Sequence, residues 1–347
     1  MTPQLTGQVL ALIVGVIAGY VAFLVGLPLP WMLGPMIATT VGSVLGIPFV
    51  PPLRLRPFVF PVLGVMLGAN VTPDIVDQLG AWAVTLVIMV PFLAVAAGAA
   101  FVIFTKFGKY DSVTAYFAAM PGGLTDMILM GEENGGDGRK IALAHAIRIL
   151  VAISLIALFY GLVLGVRRGD GAANWISMAE PELRDWIILG ACAVLGVPLG
   201  KLLRLPAAIL LGPMILSAVT HFAHVVEIAP PTLLVIIAQI VMGVTIGCRF
   251  VGVEVKQFTK DIGLSTVACF AILVVAVGFA LFTSRITGTE IEAVFLAYSP
   301  GGVTEMSLLA LTMGLEVAFV SVMHIARILL IIAMAPLAFR LLRSLRS

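Results

Sequence analysis

A helix-breaking tripeptide is written twice into a chain that otherwise offers almost nothing but apolar side chains. Met120-Pro121-Gly122-Gly123-Leu124-Thr125-Asp126-Met127 returns 179 residues later as Ser299-Pro300-Gly301-Gly302-Val303-Thr304-Glu305-Met306. The segment Ala144-His145-Ala146-Ile147-Arg148-Ile149-Leu150 maps onto Met323-His324-Ile325-Ala326-Arg327-Ile328-Leu329 at the same offset. Nearer the N-terminus, Leu33-Gly34-Pro35-Met36-Ile37 matches Leu211-Gly212-Pro213-Met214-Ile215, and Gly64 and Gly68 match Gly243 and Gly247. One inserted residue near position 50 brings these matches into a single alignment. The chain is therefore a duplication, with repeats over 1–166 and 184–347 joined by a polar linker, 167–183.

With 61% hydrophobic and 11% charged residues among 347, the chain has too few charges to cover a water-facing surface. A mean hydropathy of +1.15 fits a lipid-facing one. The expected fold is an all-α polytopic membrane protein with the bilayer as its first partner. A formal charge of +2 without a basic stripe argues against nucleic-acid binding. Cys192, Cys248 and Cys269 stand alone in apolar runs, so neither a disulfide framework nor a metal site is indicated, and no cofactor is expected. The N-terminus lacks the basic region of a signal peptide and reads as the first span.

Each repeat contains six apolar segments, at about 7–25, 29–47, 57–72, 80–105, 112–132 and 141–166 in the first. Pro-Gly-Gly divides the fifth into two arms of about ten residues, and at about 1.5 Å per residue each arm covers roughly half of a ~30 Å bilayer core. That is the length of a re-entrant hairpin. If the fifth segments cross, there are twelve spans and the 18 loop Lys and Arg residues divide 11 to 7 between the faces. If they re-enter, there are about ten spans, and 14 lie on one face against Arg167, Arg168, Arg184 and Arg285 on the other. The positive-inside rule favours re-entry, with both termini cytoplasmic and the second repeat inverted relative to the first. The second segment of each repeat, with Gly-Pro near its middle, could also be broken.

The tips expose backbone that lipid cannot satisfy, so they must be buried or face a wet cavity. Glycine opens backbone conformations closed to other residues. Gly122, Gly123 and Thr125, with Gly301, Gly302 and Thr304, are candidate substrate-binding residues, because the second arm starts there and points its amides at the tip. Arg148 and Arg327 complete that set. Each should approach a tip, Asp126 or Glu305, since a buried arginine keeps its charge. Asp126 and Glu305 are candidate ion-coupling groups, because an ionised acid near mid-membrane costs on the order of 3 kcal/mol unless a proton, a cation or a positive side chain offsets it. His145 and His324, three residues before the arginines, are candidate proton relays. Each site has a plainer alternative: a kinked packed helix, an acid complementing a helix dipole, or a structural ion pair. Gly64, Gly68, Gly243 and Gly247 read as helix packing. Asn70, Gln239 and Thr245 could line a pathway, while Asp111, Asp137, Glu290 and Glu316 read as acids opening helices.

The paired Pro-Gly-Gly-(Leu/Val)-Thr-(Asp/Glu)-Met motifs, the His-x-x-Arg that follows each, and the two Leu-Gly-Pro-Met segments resemble the AbrB family of bacterial inner-membrane proteins, whose hallmark is a duplicated unit. The resemblance covers nearly the whole chain. It implies a multi-pass protein of the bacterial inner membrane. The family has been labelled both an ammonia monooxygenase and a regulator of gene expression. Broken elements within inverted repeats are more distantly similar to the superfamily of cation/proton antiporters and anion transporters, a likeness of fold alone.

The leading expectation is a secondary transporter of a small polar or anionic solute, coupled to protons or sodium, with no catalytic residue. A membrane regulator acting indirectly on gene expression is the alternative, although the chain has no soluble output module. A membrane oxygenase would need a ligand cluster that the four histidines, split between the repeats, do not supply. A homodimer is one possible assembly.

Overall fold

A computed structural model describes residues 3–71, 75–162, 175–205, 207–253 and 255–344. Residues 167–174 of the linker, including Arg167 and Arg168, lie outside the described residues, as does Arg346. The protein is an all-α polytopic membrane protein. In the first repeat the helices are α1 (Pro3–Leu24), α2 (Pro30–Val44), α3 (Arg56–Gly68), α4 (Ile75–Val102), α5 (Ser112–Ala119), α6 (Leu124–Glu133) and α7 (Gly138–Leu162). The second repeat supplies α8 (Leu183–Leu202), α9 (Ala208–Phe222), α10 (Thr232–Gly247), α11 (Val255–Thr287), α12 (Ile291–Tyr298), α13 (Val303–Thr312) and α14 (Val317–Ser344). Each apolar segment is a helix, and the fifth of each repeat is two.

Among the described residues, seven helices are long and apolar enough to cross a bilayer. Three of the ten expected spans are shorter: α2 and α9 have 15 residues and α3 has 13. At about 1.5 Å per residue these reach roughly 20–23 Å, less than a straight crossing needs. The second segment is not broken, because Pro35 and Pro213 each sit inside a continuous helix. One missing N–H does not end a helix that is packed on several sides.

The duplication is visible in the backbone. Residues with positive φ pair across the repeats as Gly26 with Arg204, Leu29 with Ala207, Gly46 with His224, Lys109 with Gly288 and Gly135 with Gly314, with φ between 47° and 84°. The two copies turn at equivalent places even where the residue is no longer glycine.

Two compact units cut across the repeats. The first comprises Met1–Asp77, Ser154–Val253 and Ser307–Ala318; the second comprises Gln78–Ile153, Glu254–Met306 and Phe319–Ser347. In the first unit, α2 packs on α10 and α9 packs on α3, so the second helix of each repeat embraces the third helix of the other. Glycine makes these approaches possible. A Cβ on Gly64 would strike Leu210 O and one on Gly68 would strike Met214 O; in the mirror contact, Gly243 meets Met32 O and Gly247 meets Met36 O. Gly34 and Gly212 admit the carbonyls of Ala18 and Gly196 in the same way. Ser217 Oγ donates to Val65 O across 2.7 Å and Ser43 Oγ donates to Gly247 O across 3.3 Å, which adds polar ties to close backbone packing. Asn70, Gln239 and Thr245 belong to this unit. Asn70 donates to Met66 O and Thr245 to Val241 O, each a bond within its own helix.

The second unit holds the long helices α4 and α11, the final helices and both breaks. Phe92 of α4 stacks on Tyr298 of α12 at 4.8 Å, and Tyr298 Oη donates to Thr85 O at 2.9 Å. Tyr116 of α5 donates to Ala335 O of α14 at 2.8 Å. Each hairpin is thus anchored by an aromatic residue to a helix of the opposite repeat.

Candidate functional site

The first break is built from its foot upward. Asp111 caps α5, its Oδ1 accepting from Val113 N and Thr114 N at 3.0 and 2.9 Å. Burial pushes its carboxyl up, but hydrogen bonds from Thr114 and Val113 outweigh that and hold it below the usual carboxylate value. Asp137 caps α7 by accepting from Arg139 N and Lys140 N. The Asp137 N–H donates to Thr114 Oγ1 across 2.8 Å, so the residues entering α5 and those leaving α6 meet. The segment therefore turns back on itself. Its arms of 8 and 10 residues span about 12 and 15 Å.

Met120, at φ −64° and ψ 125°, leaves the helix just before Pro121, and Gly123 is equally extended at φ −63° and ψ 131°. Any residue can adopt that conformation. The glycines of the tip therefore provide room rather than the unusual backbone angles expected from the sequence. A Cβ on Gly122 would fall 2.7 Å from Ile331 Cγ2 and 3.2 Å from Met127 Sδ, and one on Gly123 would fall 2.5 Å from Asp126 Oδ2. In the second break a Cβ on Gly301 would strike the Met306 side chain, and one on Gly302 the Glu305 carboxylate. The motif thus explains itself: the first glycine seats the methionine five residues on, and the second seats the acid three residues on. Met127 and Met306 are fully buried there. They stand in the duplicated motif, yet without a structure nothing linked them to the glycines.

The His-x-x-Arg pairs close the other side of each break. His145 Nε2 lies 2.9 Å from Phe117 O, and Arg148 Nη1 donates to Met120 O at 2.9 Å. A carbonyl only accepts, so Nε2 carries the ring proton and Nδ1 accepts from Arg148 Nη2 at 2.8 Å. His324 repeats this with Leu296 O and Arg327 Nη2, both at 2.9 Å. Arg327 donates to Ser299 O and also to Gly301 O, the latter at 2.6 Å. The carbonyls that close α5 and α12 lie at the negative end of each helix dipole, and these side chains supply donors and positive charge there; at α12 the backbone contributes as well, Ser299 N–H donating to Leu296 O and Gly301 N–H to Ser299 O. Both histidines are fully buried, and Arg148 and Arg327 are only 6% and 3% exposed.

The arginines therefore reach the tips, as carbonyl ligands. Asp126 and Thr125 are exposed, Glu305 is half-buried and Thr304 is buried. One element of the arrangement is not balanced between the copies: among the described residues, Arg327 makes a bond to the tip that Arg148 lacks, and its buried Nε has no partner. Each break ends in a cation-capped helix C-terminus and begins again at a helix N-terminus with an acid folded over it. Such a site can present amide donors and positive charge to a small anion. Among the described residues, no three His, Cys, Asp or Glu side chains gather as a metal site.

Comparison with known proteins places this geometry in context. The family described as "Transition state regulatory protein AbrB" matches residues 4–343. The chain is 26% identical over 313 residues to "Putative regulator AbrB" of Escherichia coli (strain K12), covering 90% of this chain and 89% of that protein. It is also 26% identical over 300 residues to YhjN of Bacillus subtilis (strain 168), covering 82% and 78% respectively.

Proposed function

The chain belongs to the AbrB family, and on that footing we propose that it is a secondary transporter of a small anionic solute, coupled to a proton or a sodium ion. The observation that carries this reading is the paired break: two helix N-termini and two buried arginines, Arg148 and Arg327, gathered in one compact unit. Discontinuous helices with their N-termini turned to an anion are the binding device of inverted-repeat transporters. Gly122, Gly123 and Thr125 with Gly301, Gly302 and Thr304 form the seat, while Arg148 and Arg327 hold the tips and supply the positive field.

Asp126 and Glu305 carry the coupling ion. The histidines take a different part from the relay expected of them. Both nitrogens of His145 and of His324 are committed to hydrogen bonds, so these rings orient the arginines. In this reading the second repeat is inverted relative to the first, both termini are cytoplasmic, and no catalytic step is involved. The regulatory name of the Escherichia coli relative favours a second reading, in which the protein acts on gene expression. A transporter does so through the level of the solute it moves.

The test is solute flux in proteoliposomes holding the full chain, with and without a proton or sodium gradient. Flux that is gradient-dependent and abolished by replacing both Asp126 and Glu305 supports the reading. A deletion strain whose gene expression changes while every solute level stays fixed would favour the regulator.

A further inference from the structure

We infer that Tyr110, Asp261 and Lys140 form a latch that holds the foot of the first break against α11, and that its release opens the tip to one face of the membrane. The inference rests on the transport reading above and names how access to its site is controlled. In that reading this foot lies on the cytoplasmic side.

Tyr110 stands between α4 and α5 and reaches out of its own repeat. Its Oη donates to Asp261 Oδ1 of α11 at 2.8 Å. Its ring stacks on Phe104 at 5.3 Å, and Lys140 Nζ of α7 lies over it, 5.0 Å from the centroid. Gly108 brings the chain close enough for this, since a Cβ there would fall 3.1 Å from Leu264 Cδ1 of α11. Tyr110 is 7% exposed. Burial and the bond to Asp261 push its phenol above the ordinary value, so it keeps its proton and remains the donor. One side chain thus ties the entry of the hairpin both to the helix that follows it and to the long helix of the opposite repeat.

The mirror position shows that the fold does not require this contact. At the offset of 179, Tyr110, Asp261 and Lys140 correspond to Thr289, Trp82 and Phe319. There Trp82 of α4 meets Phe319 of α14 edge to face at 5.7 Å, and among the described residues its buried Nε1 has no acceptor. Thr289 bonds back to the end of α11: its carbonyl accepts from Ser284 Oγ at 2.7 Å and its N–H donates to Thr287 Oγ1 at 3.2 Å. The second foot is therefore packed dry, whereas the first is fastened by a polar bond whose partners can each turn to water instead. The segment leading to the latch differs too. Ile103–Phe107 is a π-helical turn, while its counterpart, 282–286, continues within α11 as α-helix. Lys109 is held at φ 54° where the second repeat has Gly288. A π turn and a left-handed lysine both persist only when their surroundings hold them, and Tyr110 is the next residue. Once the bond to Asp261 breaks, that turn is free to rewind and to move the foot of α5.

The experiment is thiol labelling of the full chain in membrane vesicles of each orientation. Thr125→Cys is the reporter at the tip and a membrane-impermeant maleimide is the probe. Cys192, Cys248 and Cys269 are buried, and protein without the reporter gives the background. Tyr110→Phe removes only the donor hydroxyl and should raise the labelling rate from the cytoplasmic face about tenfold, with no rise from the other. Asp261→Ala should do the same, and the two together should be no faster than either, since both remove one bond. Lys140→Gln takes the charge off the ring and should raise the rate about twofold to fivefold. Trp82→Ala, a larger truncation at the mirror foot, should leave the cytoplasmic rate where it is. An equal rise there overturns the inference, because any loosening would then open the tip. An unchanged rate in Tyr110→Phe, or an equal rise from both faces, also overturns it, while a tip that water reaches leaves the transport reading standing. A rise from the opposite face alone upholds the latch and reverses the orientation of the chain. A tip labelled from neither face, in the reporter chain and in every variant, removes the transport reading along with the latch. Should Asp261→Ala not fold, Tyr110→Phe and Lys140→Gln decide by the same criteria.

Discussion

The two compact units use glycine for opposite ends. In the first, the place where a side chain would sit on Gly64, Gly68 or Gly243 is taken by the backbone of a neighbouring helix, and on Gly247 by the Thr39 hydroxyl with the backbone of Met36 and Thr40 behind it. In the second, the same vacancy is filled by side chains: Asp126, Met306 and Glu305 from the next turn at Gly123, Gly301 and Gly302, and Ile331 of α14 together with Met127 at Gly122. Backbone cannot step aside, whereas a carboxylate can. The first unit is fitted to stay as it is, and the second contains parts free to be exchanged.

The largest effect that could break this comparison concerns what holds the breaks together. Arg327→Met removes charged hydrogen bonds to Ser299 O, Gly301 O and His324, and should destabilise the second unit by roughly 3 kcal/mol or more in chemical unfolding of the detergent-solubilised protein. Arg148→Met, which loses one tip bond fewer, should cost less. An equal or larger loss for Arg148 would show that the extra contact to Gly301 contributes nothing. Next comes the glycine contrast itself. Gly68→Ala sets a methyl against Met214 O and should cost about 1–3 kcal/mol by overpacking.

A smaller effect, and of opposite sign, is expected at the turns. Arg204 holds a left-handed conformation at φ 52° where its counterpart is Gly26. Arg204→Gly should therefore raise stability by up to about 1 kcal/mol. Gly302→Ala should lower it by only about 0.5 kcal/mol while disturbing the seat, because only a side chain has to move. If Gly302→Ala proves as destabilising as Gly68→Ala, the distinction between the units fails. Smallest is the pH response at the hairpin foot. Hydrogen bonds hold the carboxyl of Asp111 below the usual aspartate value, so its cap is fully present above that ordinary value and is lost as pH falls through the lowered folded value. Amide exchange at Val113 and Thr114 should accelerate only in acid.

Much of this was legible beforehand because helix-breaking chemistry is local. Pro121 and Pro300 announce where a helix must stop, and a duplicated motif says that the stop is kept on purpose. The arginines were expected at the tips, since a fixed charge in an apolar helix needs oxygen partners, and there they are. What the sequence could not reveal depends on contacts between distant residues. Gly122 and Gly123 look like conformational glycines until Ile331, Met127 and Asp126 are seen crowding them. The exchange of α2 and α3 partners between the repeats is equally invisible, because the interhelical glycine rows of both copies look alike. The committed imidazoles of His145 and His324 follow from one carbonyl each, Phe117 O and Leu296 O, and no sequence pattern marks a carbonyl.

The partner exchange in the first unit also sets an order of events during synthesis. Val65 waits for Ser217, 152 residues later, and Ser43 for Gly247, 204 residues later. At a translation rate of about 5–20 residues per second, α3 spends roughly 8–30 s without α9. Throughout that interval its glycine row faces lipid or a chaperone, and a ribosome stalled between the two halves would leave behind a stub unable to complete its own packing.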